Sequence, residues 1–555
     1  IYPGVRLLTV PPASLGEGGL VELHERAAAG GSDAIVIAHS TFSRIPVAAS
    51  KRRALLRDER DRLRKAHATE ESSPNPNPHR LSTLVRQLSG INGRISRLAN
   101  KKDYPYSFEK LGIDALFVDE AHNFKSLPPE ETRLGGVLGV PVNGAKRAED
   151  LLEKIRHMER VRGGEGATVF ATATPVTNSI AELHAIMRFL ERGRLAEIGI
   201  EHFDAWASVF TGILTDREVS TDRGSVVRTR LSEFINVEDL RPMFAEVADV
   251  RTARDLGLAL PRLVTGKAIP VECTLSPEQK ALLERLEERV RRIGDGKVPK
   301  SVDNMFRVTT DVRKIAIDAR LVDRSLPQSP DGKIARVAAL AAEIWRETMA
   351  DRSTQIIFCD LGVPGSATGF SVYDAIRDQL RAEGVPPGDI AFAQDARTPD
   401  EKADLYARVD RGETRILIGS SPVLGEAVNV QTRCIAAHHV DVPFAPYRLD
   451  QRDGRIERQG NRNPEIRIFH YIATSDDGKP SLDAYMWSLC ARKARSIERL
   501  LSGGAGRRME DVGRRAVACA EFLAVSLDNP AGREHMRVDA EYAEVAMEYS
   551  AHVQM

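Results

Sequence analysis

Ala115-Leu116-Phe117-Val118 runs without a break into Asp119-Glu120-Ala121-His122, and few eight-residue segments restrict a chain as much. Four apolar residues in succession read as a fully buried strand, as in a parallel sheet covered by helices. In an open α/β sheet such a strand delivers the residues after it to the cleft at its carboxyl end, where ligands bind. Asp119 and Glu120 therefore arrive at a binding cleft. One carboxylate there can hold Mg2+ directly or through water, and its neighbour can polarise the water that attacks a γ-phosphate. A strand that merely ends in solvated acids fits the same octet, so the surrounding chain has to separate the two.

At 555 residues the chain is too long for one core, and two domains with inserts or linkers are expected. Hydrophobic residues at 42%, charged residues at 28% and a mean hydropathy of -0.29 suit a globular protein. No apolar run approaches the roughly 20 residues that span a bilayer, so no membrane partner is expected. Lys+Arg and Asp+Glu are equal at 79 each, which leaves nucleic-acid binding to local basic surface. Five cysteines, Cys273, Cys359, Cys434, Cys490 and Cys519, lie too far apart for a disulfide framework or a Cys-x-x-Cys zinc site, and a reducing, cytoplasmic setting is expected. The opening Ile1-Tyr2-Pro3-Gly4 has no methionine, signal peptide or helix cap, and reads as a start inside a longer protein.

Short apolar runs at Val5 to Val10, Ala34 to Ala38, Ala115 to Val118 and Thr168 to Ala171 alternate with helix-compatible stretches, which implies a parallel sheet. Within this region Leu81, Leu84, Leu88, Ile91, Ile95 and Leu98 recur at steps of three and four and form one helical stripe. The arginine-dense segment Lys51 to Lys65 precedes it across Ser72-Ser73-Pro74-Asn75-Pro76-Asn77-Pro78, so a helical hairpin with a flexible tip is expected over 51–102. Its basic arm either touches phosphate or forms a solvated charged face. Residues 263–328 read as a helical, charged connector. A second parallel α/β unit comes next, over 329–503, with strands at Gln355 to Cys359, Ile390 to Ala393, Arg415 to Ile418, Cys434 to Val440 and Glu465 to Ile472. Residues 504–555 read as a helical tail.

Two further segments carry chemistry. After Thr168 to Ala171 comes Thr172-Ala173-Thr174-Pro175, a hydroxyl-rich turn where a sheet meets its cleft, and Ser179 with Glu182 has capping-box spacing for the next helix. Thr172 and Thr174 could equally satisfy loop backbone. Farther on, Arg448, Gln451, Arg455 and Arg458 fall at offsets of zero, three, seven and ten, which places three guanidiniums and an amide on one helical face. Guanidinium forks suit phosphate, although Asp450, Asp453 and Glu457 offer the alternative of a salt-bridged surface.

The order of these segments resembles the two-lobed superfamily II helicases, specifically their Swi/Snf-like branch of the DEAD/DEAH-box type. Particular stretches, Asp33 to Phe42, Leu111 to Leu127, His202 to Ala207 and His438 to Pro443, are similar to the helicase part of the methylase-helicase proteins of phages and plasmids. The resemblance implies two RecA-like parallel-sheet lobes of P-loop NTPase type, the first incomplete at 1–262 and the second at 329–503, with ATP and Mg2+ bound between them. Asp119 and Glu120 would be the metal and water-activating pair, and His122 the link to the other lobe. Thr172 and Thr174 match motif III, Gln451, Arg455 and Arg458 match motif VI with Arg458 as arginine finger, and Gly425 lies in motif V. Ser40 and Thr41 would track the backbone of a DNA partner, expected to be duplex, and a methyltransferase region would precede the helicase part.

Two departures bear on this. The Gly-x-x-x-x-Gly-Lys-Ser/Thr loop that cradles phosphates does not occur in these residues, nor does an Asn/Asp-Pro-Pro-Tyr methyltransferase signature. Gly425-Glu426-Ala427-Val428-Asn429 stands where the family favours Gly-x-Gly-Thr-Asn. The expected function is an ATP-dependent DNA helicase or translocase core, with little hydrolysis by this chain alone. The alternative is a non-hydrolysing DNA-binding or scaffolding module derived from such an enzyme.

Overall fold

The computed structural model describes residues 4–10 and most of 17–474, interrupted by short breaks of which 425–428 is the longest, together with 483, 487 and 508–510. The strands are β1 Leu7–Val10, β2 Ala34–Ile37, β3 Leu116–Val118, β4 Thr168–Phe170, β5 Thr211–Ser220, β6 Gly224–Ile235, β7 Arg262–Leu263, β8 Ile269–Thr274, β9 Thr354–Phe358, β10 Ile390–Phe392, β11 Ile416–Gly419, β12 Cys434–His439, β13 Glu465–Thr474 and β14 Arg508–Glu510. The helices of the first half are α1 Glu17–Ala28, α2 His39–Phe42, α3 Ala49–Glu71, α4 Pro78–Ala99, α5 Lys146–Arg162, α6 Ala181–Leu190, α7 Arg192–Glu197, α8 Phe203–Phe210 and α9 Val237–Ala245. Those of the second half are α10 Pro277–Gly294, α11 Met305–Ile317, α12 Lys333–Glu347, α13 Val372–Ala382, α14 Pro399–Arg411, α15 Ser421–Leu424 and α16 Pro446–Asp453. The chain divides into two compact units, one of 1–213, 233–248 and 506–508, the other of 214–232, 249–505 and 509–555. This is the α/β, parallel-sheet class expected from the alternation of strands and helices.

In the first unit β1 pairs β2 and β3 pairs β4, both in parallel. Leu8, Val10, Leu20, Ile45, Phe108 and Met158 fill one core beside them, while Val118, Leu151, Ile155, Ala185 and Phe189 fill another. Only one face of these strands is covered. Phe117 is 75% exposed and Val169 49%, so the expectation of a strand buried on both sides fails for Ala115 to Val118. Helices α5 and α6 supply apolar side chains to Val118, and among the described residues none covers Phe117. The hairpin of α3 and α4 has its own small core, in which Leu56 and Leu63 meet Leu84, Leu88, Ile91, Ile95 and Leu98.

The second unit holds one parallel sheet in the order β10-β11-β9-β12-β13-β7, with β8 also on β13. Every residue of β9 is buried, because α12 and α13 cover one face and α14 the other. The stretch read as a helical connector contributes β8 and the second residue of β7, which starts at the end of the preceding region, and both strands pair β13 in parallel. In β8 apolar Ile269, Val271 and Cys273 alternate with Pro270, Glu272 and Thr274, and a proline at the second position lowers the strand signal. Helices α10 and α11 bury Leu282, Leu286, Val308, Val312 and Ile315 in a core shared with Val442 and Trp487. Strands β5 and β6 were likewise not expected from the sequence, since Thr, Arg, Asp and Glu punctuate their apolar residues.

Candidate functional site

Strand β3 ends at Val118, and the backbone then turns sharply. Glu120 adopts φ 47° and ψ 46°, the left-handed region, and Ala121–Phe124 form a single 3-10 turn directly after it. For a residue with a Cβ this conformation costs on the order of 1–2 kcal/mol, so the surroundings must hold it in place. They do so from both sides. The Ala121 amide donates to the Ala171 carbonyl at 3.0 Å, the Ala171 amide to the Val118 carbonyl at 2.9 Å, and the Asn123 amide to the Glu120 carbonyl at 3.0 Å.

The turn brings the residues expected from motifs II and III together. Glu120 Oε2 lies 3.0 Å from His122 Nδ1, and the same nitrogen lies 3.3 Å from Thr172 Oγ1. Thr172 Oγ1 in turn accepts the Thr174 amide at 3.1 Å. One imidazole nitrogen, 8% exposed as a residue, thus couples a carboxylate at the end of β3 to a hydroxyl at the end of β4. Asp119 is exposed, and its Oδ1 accepts the Glu120 amide at 2.9 Å. That leaves a solvent-facing carboxylate free to meet a cation. Among the described residues no group of three or more His, Cys, Asp or Glu side chains could hold a metal by itself. A cation at Asp119 would need phosphate and water oxygens to complete its shell, as Mg2+ bound with a nucleotide does.

The capping box expected from Ser179 and Glu182 is not formed. Ser179 Oγ accepts the Ala181 amide at 3.2 Å and donates to the Gly139 carbonyl, whereas the Glu182 carboxylate pairs with Lys125 Nζ at 3.3 Å. Lys125 is itself 7% exposed and Glu182 8%, and a buried ammonium left without its carboxylate costs more than a missing helix cap. Of the two residues expected to touch DNA, Ser40 is exposed, but Thr41 is 1% exposed with its hydroxyl shut inside. Thr41 faces the core because α2 is a single turn, tied down by Lys154 Nζ donating to the Phe42 carbonyl at 2.8 Å.

In the second unit the expected helical face at Arg448, Gln451, Arg455 and Arg458 holds only in part. Helix α16 stops at Asp453, so Arg455 and Arg458 lie in the irregular turns beyond it. Gly454 marks the change: a Cβ there would stand 3.0 Å from the Asp450 carbonyl oxygen, and the next apolar residue, Ile456, turns into the core at 0% exposure. Both arginines are half-buried, and Arg455 Nε donates to the Gln451 carbonyl at 3.2 Å. Gly425 lies outside the described residues. Lys333, the residue after Gly332, is no phosphate lysine, since it is 1% exposed and donates to the Val440 carbonyl at 3.0 Å.

The strongest polar feature of this unit was not expected from the sequence. Arg452, 0% exposed, pairs with Asp441 Oδ1 at 3.0 Å and Asp360 Oδ2 at 3.1 Å, and its Nε donates to Ser421 Oγ at 2.7 Å. Burial alone would raise the Asp360 carboxyl, but the Arg452 guanidinium and the Ser421 amide and hydroxyl bring it below the ordinary carboxylate value. One guanidinium thus ties α16 to the ends of β9 and β12 and to α15. A signal was available: Ile356-Ile357-Phe358-Cys359-Asp360 repeats the layout of an apolar run ending in an acid.

Comparison with known proteins adds to this geometry. Residues 1–252 match the family model of a probable helicase domain. This helicase-like segment carries Asp119, Glu120, His122, Thr172 and Thr174. The chain is also 25% identical to the defense against restriction protein B of Escherichia phage P1, over 78% of this chain and 24% of that protein. It therefore spans about a quarter of the curated relative's length. Among solved structures, the C-terminal part of the Fun30 ATPase domain is 13% identical, with a TM-score of 0.32, and covers 44% of this chain and 99% of its own. The Sulfolobus solfataricus SWI2/SNF2 ATPase core domain is 17% identical, with a TM-score of 0.31, over 66% of this chain and 65% of its own.

Proposed function

We propose that the chain is the core of an ATP-dependent DNA translocase or helicase of Swi/Snf type, with DEAD/DEAH-box character at Asp119 and Glu120. The observation that carries this reading is the Glu120–His122–Thr172 linkage. It ties a carboxylate suited to activating water to the neighbouring strand of a segment that matches a helicase domain. Asp119 would hold Mg2+ beside the triphosphate of ATP, where the ion supplies charge neutralisation. Glu120 would orient and deprotonate the attacking water, and His122 would keep that carboxylate aimed and report its state to Thr172 and Thr174. Arg455 and Arg458, with Gln451 in the same segment and Gly425 some 26 residues before it, would take up phosphate charge. An arginine in that role is typically worth about 10³–10⁵ in rate. Duplex DNA would be the partner, with Ser40 on its backbone, and a methyltransferase region of the same polypeptide and a cytoplasmic setting accompany the reading.

The test is hydrolysis by the natural full-length protein with and without duplex DNA. Glu120→Gln should lower DNA-stimulated turnover by about 10²–10⁴ while nucleotide-dependent DNA binding persists. Turnover that survives Glu120→Gln would sink the mechanism. A second reading, a non-hydrolysing DNA-binding or scaffolding module, is favoured by the lack of a Gly-x-x-x-x-Gly-Lys-Ser/Thr loop among these 555 residues. It requires that a non-hydrolysable ATP analogue with Mg2+ leaves DNA affinity unchanged.

A further inference from the structure

The arginine-dense arm of the hairpin, α3, carries eight basic and five acidic residues, and its charges are largely engaged. Arg52 pairs with Glu153 at 3.0 Å, Arg60 with Asp61 at 2.8 Å, Arg62 with Glu201 at 3.5 Å, and Asp58 with Arg160. Helix α4 differs. It contains four arginines and no acidic residue in 22 positions, inside a chain of formal net charge zero. Its apolar side is used up by the hairpin core of Leu84, Leu88, Ile91, Ile95 and Leu98. On the opposite side Ser82, Arg86, Ser89, Gly93, Ser96 and Arg97 are all exposed. At 100° per residue these six fall within about 100° of one another, a stripe as wide as the apolar one.

We propose that the outer face of α4 is a phosphate-backbone contact for duplex DNA, separate from the nucleotide-bearing turn. Charge complementarity selects the occupant. Arg86 and Arg97 stand 11 positions apart on one line, about 16 Å along the helix, which is roughly the rise of five base pairs. Serine hydroxyls and a glycine between them let a backbone approach closely and offer donors that position without reading sequence. No carboxylate of α4 opposes an anion there, whereas Asp58, Glu59 and Asp61 lie among the arginines in the middle of α3 and Glu153 pairs with Arg52 near its start. The surface that binds is thus the arginine-poorer arm of the hairpin, because net charge on a face, and not arginine count, sets the local field.

This inference rests on the DNA part of the proposed function and not on hydrolysis, so the measurements that decide it contain no nucleotide, and an ATP analogue is added only to separate it from the motor reading. Duplex DNA of several sequences is titrated into the full chain by fluorescence anisotropy over a range of salt. Loss of two phosphate contacts in Arg86→Gln/Arg97→Gln should cut the slope of log affinity against log salt by about 1.8 and weaken binding roughly tenfold or more at ~0.1 M salt, uniformly across sequences. Arg86→Lys/Arg97→Lys should restore the slope, because it restores the charge count. Circular dichroism melts should coincide for all three proteins, since both positions are exposed. An unchanged slope in the glutamine variant, or a wild-type chain that binds no duplex, overturns the proposal. Equal sensitivity of poly-glutamate binding to the same substitutions overturns it in favour of an acidic polypeptide. If DNA binding behaves as expected but an ATP analogue never alters it, the motor reading fails and the α4 contact stands.

Discussion

Glu120 Oε2 and His122 Nδ1 lie 3.0 Å apart across a turn in which Glu120 itself holds left-handed backbone. The imidazole holds the side chain while the backbone gives up its local conformational preference, so the surroundings must offset that strain. Glu120→Gly should therefore leave stability unchanged or raise it by about 1 kcal/mol, as the backbone relaxes and only a half-exposed pair is lost. Urea denaturation measures this, and a loss above about 1 kcal/mol would show that the pair stabilises more than the strain costs.

Arg452 is expected to behave in the opposite way. Its removal leaves buried Asp441 and half-buried Asp360 close together, with only the more distant Arg313 and Arg448, each at 3.9 Å, to offset them, as the Asp360 amide already donates to Asp441 Oδ2 at 2.9 Å. Arg452→Met should cost about 3–5 kcal/mol by urea unfolding. Arg452→Lys should recover only part of that, because one ammonium cannot span Asp360, Asp441 and Ser421 as a planar fork does.

Lys154 gives a second buried-cation test, in the first unit. Its Nζ donates to Asp150 Oδ2 at 2.6 Å and sits 4.1 Å from the centre of the Phe42 ring. Lys154→Met strands the Asp150 carboxylate and the Phe42 carbonyl, and a loss of about 2–3 kcal/mol is expected in thermal or urea unfolding. Adding Asp150→Asn should return part of it, since the uncompensated charge goes. No recovery in the double variant would mean that packing on Phe42 dominates.

The second unit should be acid-sensitive through His438. The ring is 0% exposed, with Nε2 3.0 Å from Gln355 Oε1 and Nδ1 2.8 Å from the Tyr471 hydroxyl. This fits a neutral ring that donates through Nε2 and accepts through Nδ1. Burial, helped by His439, lowers its pKa to about 3. A group harder to protonate when folded than the ordinary 6.5 binds fewer protons in the native state. Its contribution is thus present above about pH 6.5 and is lost as pH falls toward about 3. Asp450 and Asp453, raised by burial to about 6, and Glu457, raised to about 7, act with the other sign, lowering stability as pH rises through those values. His438→Gln should flatten the acid side of the stability profile while leaving the neutral side in place. An unchanged acid limb would assign the loss to His439 or His470 instead.

Much of this protein can be read from local order along the chain. The strand-acid layout at Val118-Asp119, the Thr-rich turn after Phe170 and the stripe of Leu84, Leu88, Ile91 and Ile95 depend on residues close together, so their spacing alone determines strand, turn and helix. The sequence likewise contained the residues of the linked site, Glu120, His122 and Thr172, though not their meeting. Features that depend on distant partners were not legible. Phe117 is apolar yet 75% exposed, because burial belongs to whatever packs on a strand and not to the strand. Helix α16 ends at Asp453 because Ile456 has a core to enter, and Arg452 is buried because Asp360 and Asp441 come to it from strands 92 and 11 residues away. The two arms of the hairpin were separated in the same manner. Arginine count pointed to α3, but pairing with Glu153, Asp61 and Glu201 occurs only in the folded chain, and it is that pairing which leaves α4 as the face with unbalanced charge.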